Sequence, residues 1–148
     1  MPKPYEFFDH TADIGARVYG RTLEELFTNA AHAMYEALGQ LQKTESRSQK
    51  SIEMKAASLE DLLHDWLAEL LYEVEANHAL YDEIASLTVC GSGIPAATGF
   101  DLVARLQGSS IDFTRSQTSE EIKAVTYHQL RVEQLPDRTW RASVIFDV

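Results

Sequence analysis

The chain has a single cysteine among 148 residues, Cys90. It can form no internal disulfide, and with no second cysteine or nearby histidine cluster it offers neither a CxxC redox motif nor a zinc site. Cys90 reads as a small apolar residue near a strand end. Basic residues are also scarce, 13 Lys and Arg against 23 Asp and Glu, for a net charge of −10. A surface this acidic is repelled by phosphate backbones, and no basic stripe with interleaved aromatics occurs, so direct RNA or DNA binding is not expected. Complementary fields would instead favour encounter with a basic enzyme that itself holds nucleic acid. No apolar run approaches a membrane span, and the N-terminal segment lacks the basic-then-apolar layout of a secretion signal. A soluble, cytoplasmic protein with no membrane partner is the expectation. There is no Gly-x-Ser-x-Gly elbow, no phosphate loop, no EF-hand pattern and no internal repeat, and Cys90 has no identifiable base partner.

What is present suffices for one core. A hydrophobic content of 45% over 148 residues supports a single domain and is too little for two ordinary ones. Lys3 to Phe8 reads as a short strand, and Ile14 to Gly20 as a second in which Ile14, Ala16 and Val18 alternate with Gly15, Arg17 and Tyr19. Thr22 and Glu25 form a capping box, which predicts a helix with apolar positions at Leu23, Leu26, Phe27, Ala30, Met34, Ala37 and Leu38 and a stop at Gly39. Gln40 to Ser51 is polar and without apolar periodicity, and reads as a mobile loop, with a weak strand from Ser51 to Ala56. A second helix is predicted after Ser58, its apolar stripe running from Leu59 through Trp66 to Val74. That stripe is read as core, and the acidic residues around it as solvated.

From Tyr81 the pattern turns to strands, over Glu83 to Cys90, Phe100 to Gly108, Glu121 to Glu133 and Thr139 to Asp147. Gly91 to Pro95 is a connecting loop, and Leu135 to Arg138 a turn between the last two strands, a predicted antiparallel hairpin. Two helices early and antiparallel strands late predict an α+β two-layer sandwich, a mostly antiparallel sheet with both helices on one face.

Two regions could carry chemistry. Asp9-His10-Thr11-Ala12-Asp13 places two carboxylates in a segment read as the turn between the first strands, and the far end supplies Asp147 and the α-carboxylate of Val148. If these ends meet, Asp13, Asp147 and an oxygen of Val148 make a site for a hard divalent cation such as calcium or magnesium, because opposed carboxylates repel unless a cation or protons compensate them. Asp and Thr between strands also make turns by bonding their own backbone, and that reading stands beside the first, for Asp9 above all. His10 reads as a hydrogen-bonded structural histidine or a partner to a metal ligand. Lys123 lies in a strand pattern where a solvated charge is the ordinary reading, and strict alternation puts it with Val125 and Tyr127, on the opposite face from His128.

The run Tyr5-Glu6-Phe7-Phe8-Asp9-His10-Thr11-Ala12-Asp13-Ile14-Gly15, followed by Tyr19 to Phe27, resembles the opening of the archease family. Leu59 to Tyr72, Glu121 to His128 and the ending at Asp147 match further blocks in order, so the resemblance spans nearly the whole chain. It departs at Arg115-Ser116, where the family commonly carries Arg-His, so whatever that histidine contributes is missing. The resemblance implies the same fold, calcium bound by Asp13 and Asp147 with Val148, and a functional role for Lys123. It implies an accessory protein, not an enzyme, that activates a GTP-dependent RNA ligase of the RtcB type in tRNA splicing and RNA repair, promoting guanylation and multiple turnover of the ligase. A small metal-dependent phosphohydrolase and a chaperone-like adaptor are the alternatives. A monomer is the expected state.

Overall fold

The computed structural model describes residues 3–10, 13–92, 99–118 and 121–148, with the side chains of His10 and Ser92 excepted. These residues fall into two compact units, one within Met1–Leu41 and Ser116–Val148, the other within Gln42–Arg115.

The first unit is an antiparallel sheet backed by one helix. Strand β1 (Tyr5–His10) pairs with β2 (Asp13–Gly20), and β2 pairs with β10 (Trp140–Asp147). On the other side of β10 lie two short strands, β8 (Ala124–Val125) and β9 (Arg131–Gln134). Helix α1 (Leu23–Leu38) packs against β2, β1 and β10. It starts where the capping box predicts: the Thr22 hydroxyl accepts from the Glu25 amide, while the Glu25 carboxylate accepts from the amide of Arg21, one residue before the cap. It ends at Gly39, whose φ of 125° is a conformation that side chains rarely adopt. Leu26, Phe27, Ala30 and Met34 on α1 are buried, as are Ala16, Val18, Ala142, Val144 and Phe146 at alternate positions of β2 and β10. Each large side chain removed from water in this way contributes about 1.5–3 kcal/mol. The two-residue strands β3 (Gly39–Gln40) and β7 (Gln117–Thr118) form a separate small ladder.

The second unit repeats the scheme with its own sheet and helix. Strands β4 (Lys43–Ala56), β6 (Gly99–Ile111) and β5 (Ala79–Ser92) are antiparallel with β6 in the middle, and α2 (Leu59–Asn77) packs on all three. Ser58 caps α2 by accepting from the Asp61 amide, and Leu62, Leu63, Trp66, Leu67, Leu70, Leu71 and Val74 form the buried stripe that the spacing predicts. The α+β class and the antiparallel strands are therefore as expected, with the strands divided among separate sheets and each helix on its own.

Four local expectations need correction. Gln40 to Ser51 is no mobile loop: from Lys43 on it is the first half of β4, paired with β6. Its polar residues are held by ion pairs in place of apolar packing, Lys43 with Asp82 at 2.8 Å, Arg47 with Glu83, and Lys50 with Glu69 and Glu73 at 3.3 and 3.2 Å. The strand expected from Glu121 to Glu133 is broken into β8 and β9. Between them Thr126 turns back on Ile145, its amide and hydroxyl both donating to the Ile145 carbonyl, and Gln129 takes a left-handed φ of 53°. Most of the carboxylate segment is strand, because Asp9 and His10 belong to β1 and Asp13 opens β2, while residues 11–12 lie outside the described ones. Gly91 and Ser92 close β5, and the remainder of the expected loop at Gly93 to Pro95 also lies outside. The β9–β10 hairpin forms as predicted, with Leu135 donating to Thr139. Among the described residues, no helix is long and apolar enough to cross a membrane.

Candidate metal centre

The inward positions of two central strands set the register. Ile14, Ala16 and Val18 of β2 stand opposite Phe146, Val144 and Ala142 of β10, and these residues supply the face that α1 covers. Because strand side chains alternate, the residues between them project from the opposite face. Continuing that register to the strand ends makes Asp13 and Asp147 direct cross-strand partners. Side chains so placed start from Cβ atoms about 4.5–5.5 Å apart, and like charges directly opposite each other are destabilising. Asp147 is exposed and Asp13 half-buried.

The same transverse row continues on both sides. His10 is the partner of Asp13 in β1, and Ala124 is the partner of Asp147 in β8. Asp9 pairs with Ile14 instead, so alternation assigns it to the other face of the sheet. The two carboxylates from distant parts of the sequence thus meet, and the two that are four residues apart do not share a face. They meet at the end of two central strands and not at a sheet edge, since β1 and β8 flank them.

Lys123 lies one residue before β8, where its amide donates to the carbonyl of Asp147 at 2.7 Å. Its side chain is exposed, whereas Ile122 and Val125 are buried, so the simple alternation expected for this segment fails. His128 sits in the turn between β8 and β9, exposed, its amide donating to the Thr126 hydroxyl. Ser116 is half-buried, next to an Arg115 that is fixed by Asp112 at 2.8 Å and by the Lys43 carbonyl at 3.0 Å.

The donor set at the Asp13–Asp147 pair is oxygen only, the chemistry suited to a hard cation. Among the described residues no cluster of three or more His, Cys, Asp and Glu side chains has a metal-holding arrangement. A cation here would complete its shell with main-chain or terminal oxygens, such as those of Val148, and with water, as calcium and magnesium do.

Farther along the same sheet face is a group of charges that sequence reasoning did not single out. Arg17 and the Tyr19 hydroxyl both donate to Glu6, at 3.3 and 3.0 Å, and Arg17 also lies over the Phe8 ring. These bonds, that from Tyr19 first, hold the Glu6 carboxyl below its ordinary range, while burial and then Glu6 push the Tyr19 phenol up. Arg141 donates to Glu133 and lowers its pKa in the same way. Alternation with Ala16 and Val18 marks Arg17 as outward, but which residues flank it depends on pairing with segments far away in sequence.

The model of the archease protein family matches residues 5–148 of this chain. The protein archease of Methanosarcina barkeri is 37% identical over 147 residues, covering 99% of this chain and 97% of its own. That of Thermococcus gammatolerans is 33% identical over 144 residues, covering 97% and 98%. The solution structure of protein 1598 of Methanobacterium thermoautotrophicum superposes with a TM-score of 0.74 at 31% identity, covering 98% of this chain and 99% of that one. A crystal structure from Thermotoga maritima, described as an archease and possible chaperone, shares the fold with a TM-score of 0.68 at 24% identity, covering 100% of this chain and 98% of that one. With its opening, helical and closing blocks all inside the match, this chain belongs to the archease protein family.

Proposed function

We propose that this chain is an accessory protein, not itself an enzyme, that activates a GTP-dependent RNA ligase of the RtcB type in tRNA splicing and RNA repair. The observation that carries the reading is the family match over residues 5–148. In this role the chain promotes formation of the covalent guanylate on the ligase and allows repeated turnover. Its charge of −10 suits docking on a basic, nucleic-acid-holding partner.

A divalent cation, calcium by preference, would be held by the carboxylates of Asp13 and Asp147 and an oxygen of Val148. The register of Asp13 with Asp147 supports this, because two directly opposed carboxylates gain most from a cation between them. When bound, the cation supplies positive charge at an otherwise anionic end of the sheet. The exposed Lys123, tied through its amide to Asp147, adds a second positive charge that can meet a phosphate or carboxylate of the ligase. Positioning and charge compensation of this kind account for most of phosphoryl-transfer catalysis, so no covalent step by this chain is needed.

The test is a single-turnover guanylation assay of the cognate ligase with and without this protein. Guanylation and repeated ligation should rise when it is present. A ligase equally fast in its absence would overturn the proposal, and nucleotide hydrolysis by this chain alone would favour a phosphohydrolase.

A further inference from the structure

On the sheet face that α1 leaves uncovered, the register sets Glu6, Arg17, Ser143 and Arg131 in one transverse row across β1, β2, β10 and β9. The row two residues along holds Tyr19, Arg141 and Glu133. Neighbouring strands are about 4.8 Å apart, so the arginines on either side of Ser143 rise from backbones roughly 9.6 Å apart. Between them the short side chain of Ser143 leaves an open floor carrying one hydroxyl. Arg17, Arg131, Arg141, Glu133, Tyr19 and Ser143, with the turn residue Leu130, line a groove of about 710 Å³.

The charges of this groove are unevenly matched. Arg141 gives its hydrogen bonds to Glu133, and Arg17 gives one to Glu6. Arg131 reaches Glu133 only at 3.9 Å, beyond hydrogen-bond range, and its side chain is 73% exposed. That side chain makes no other hydrogen bond or ion pair among the described residues. Cross-strand ion pairing explains the other two arginines and leaves this one unexplained. Three guanidinium groups stand against two carboxylates, a local positive excess on a chain whose net charge is −10. Glu6 lies on the far side of Arg17, and Glu133, in the neighbouring row, lines the groove but is neutralised by Arg141, which leaves the Arg17–Ser143–Arg131 stretch itself without an acid.

We propose that this groove binds a small phosphate monoester, its phosphoryl oxygens over the Ser143 hydroxyl and between the guanidinium groups of Arg17 and Arg131. Planar guanidinium forks match a tetrahedral oxyanion in charge and geometry. The groove is far larger than a bare phosphate ion and within the size range of small-molecule sites. The organic part of the ester would lie against Tyr19 and Leu130. The binding belongs to this chain alone and does not depend on the ligase reading.

The experiment is an amide NMR titration of the whole protein with ribose 5-phosphate, inorganic phosphate and ribose at matched ionic strength. Saturable shifts at Arg17, Arg131 and Ser143 are expected with both phosphates, tighter for the ester, and none with ribose. Arg131→Gln should weaken the ester about tenfold, the loss of one charge-assisted contact, with the rest of its spectrum unchanged. Arg21→Gln, which removes an exposed arginine of the same unit outside the groove, should bind as the wild type does. Equal weakening in both variants, or no saturable shift, would overturn the site. Ribose binding as tightly as its phosphate would do the same, and inorganic phosphate binding as tightly as the ester would overturn the assignment to an ester.

Discussion

The amide of Lys123 donates to the carbonyl oxygen of Asp147 at 2.7 Å, which ties a lysine just outside a short strand to one of the two carboxylates that face each other across β2 and β10. The contact is made by backbone atoms alone. It therefore survives truncation of the lysine, and the role of the side chain can be tested separately from its structural anchoring.

Lys123→Ala should change stability by no more than about 0.5 kcal/mol, because the side chain is exposed and the amide bond is kept. Ligase activation should fall sharply in the same variant while cation affinity is nearly unchanged. Thermal melts, calorimetry and guanylation assays together decide this, and full activation would make Lys123 a plain surface charge.

Asp13→Asn and Asp147→Asn should each abolish calcium binding measured by calorimetry. In a chelator, each should also raise stability by about 0.2–1 kcal/mol, because the like-charge opposition across the strands is removed. Cation binding that persists in both variants would put the site elsewhere.

Glu73 of α2 is only 6% exposed and depends on Lys50 of β4, at 3.2 Å, and on the Asn77 amide, at 2.9 Å. Removing the lysine leaves a buried carboxylate without its cation. Lys50→Ala should cost about 2 kcal/mol in urea unfolding, discounted from a fully buried pair because Lys50 is partly open to water. The double variant Lys50→Met with Glu73→Leu should recover most of that loss.

Asp112 is held well below the ordinary carboxylate range, at about 2, first by the Thr114 hydroxyl and then by Arg115. A depressed folded-state pKa means that its stabilising contribution is complete above the unfolded value of 3.8 and is lost as pH falls toward about 2. Carboxyl NMR should show Asp112 titrating near that lower value in the wild type and closer to 3.8 in Thr114→Ala.

The helices were legible because their signals are local. Thr22 with Glu25, Ser58 with Asp61, and the leucine stripe of α2 all lie within a few residues of the turns they specify. Only the second half of strand β4, the weak strand expected over Ser51 to Ala56, was legible; its first half was not, since Lys43, Arg47 and Lys50 find their partners on β5 and α2, and a strand held by ion pairs lacks the apolar alternation that marks one. The break between β8 and β9 was hidden for a similar reason. It depends on Thr126 returning to Ile145, a bond to the last strand.

The sequence by itself determined much of which residues of β2 and β10 face inward, because Ile14, Ala16 and Val18 alternate with Asp13, Arg17 and Tyr19, and Ala142, Val144 and Phe146 with Arg141, Ser143 and Asp147, broken only by Gly15 and Ile145. It also supplied carboxylates near both ends of the chain and arginines at outward positions. Only the tertiary structure decided that Asp13 stands opposite Asp147, that Asp9 does not share their face, and that Ser143 lies between Arg17 and Arg131. Burial of the inner face selects one pairing register out of several, and a slip of a single residue would turn every one of these side chains to the other side of the sheet.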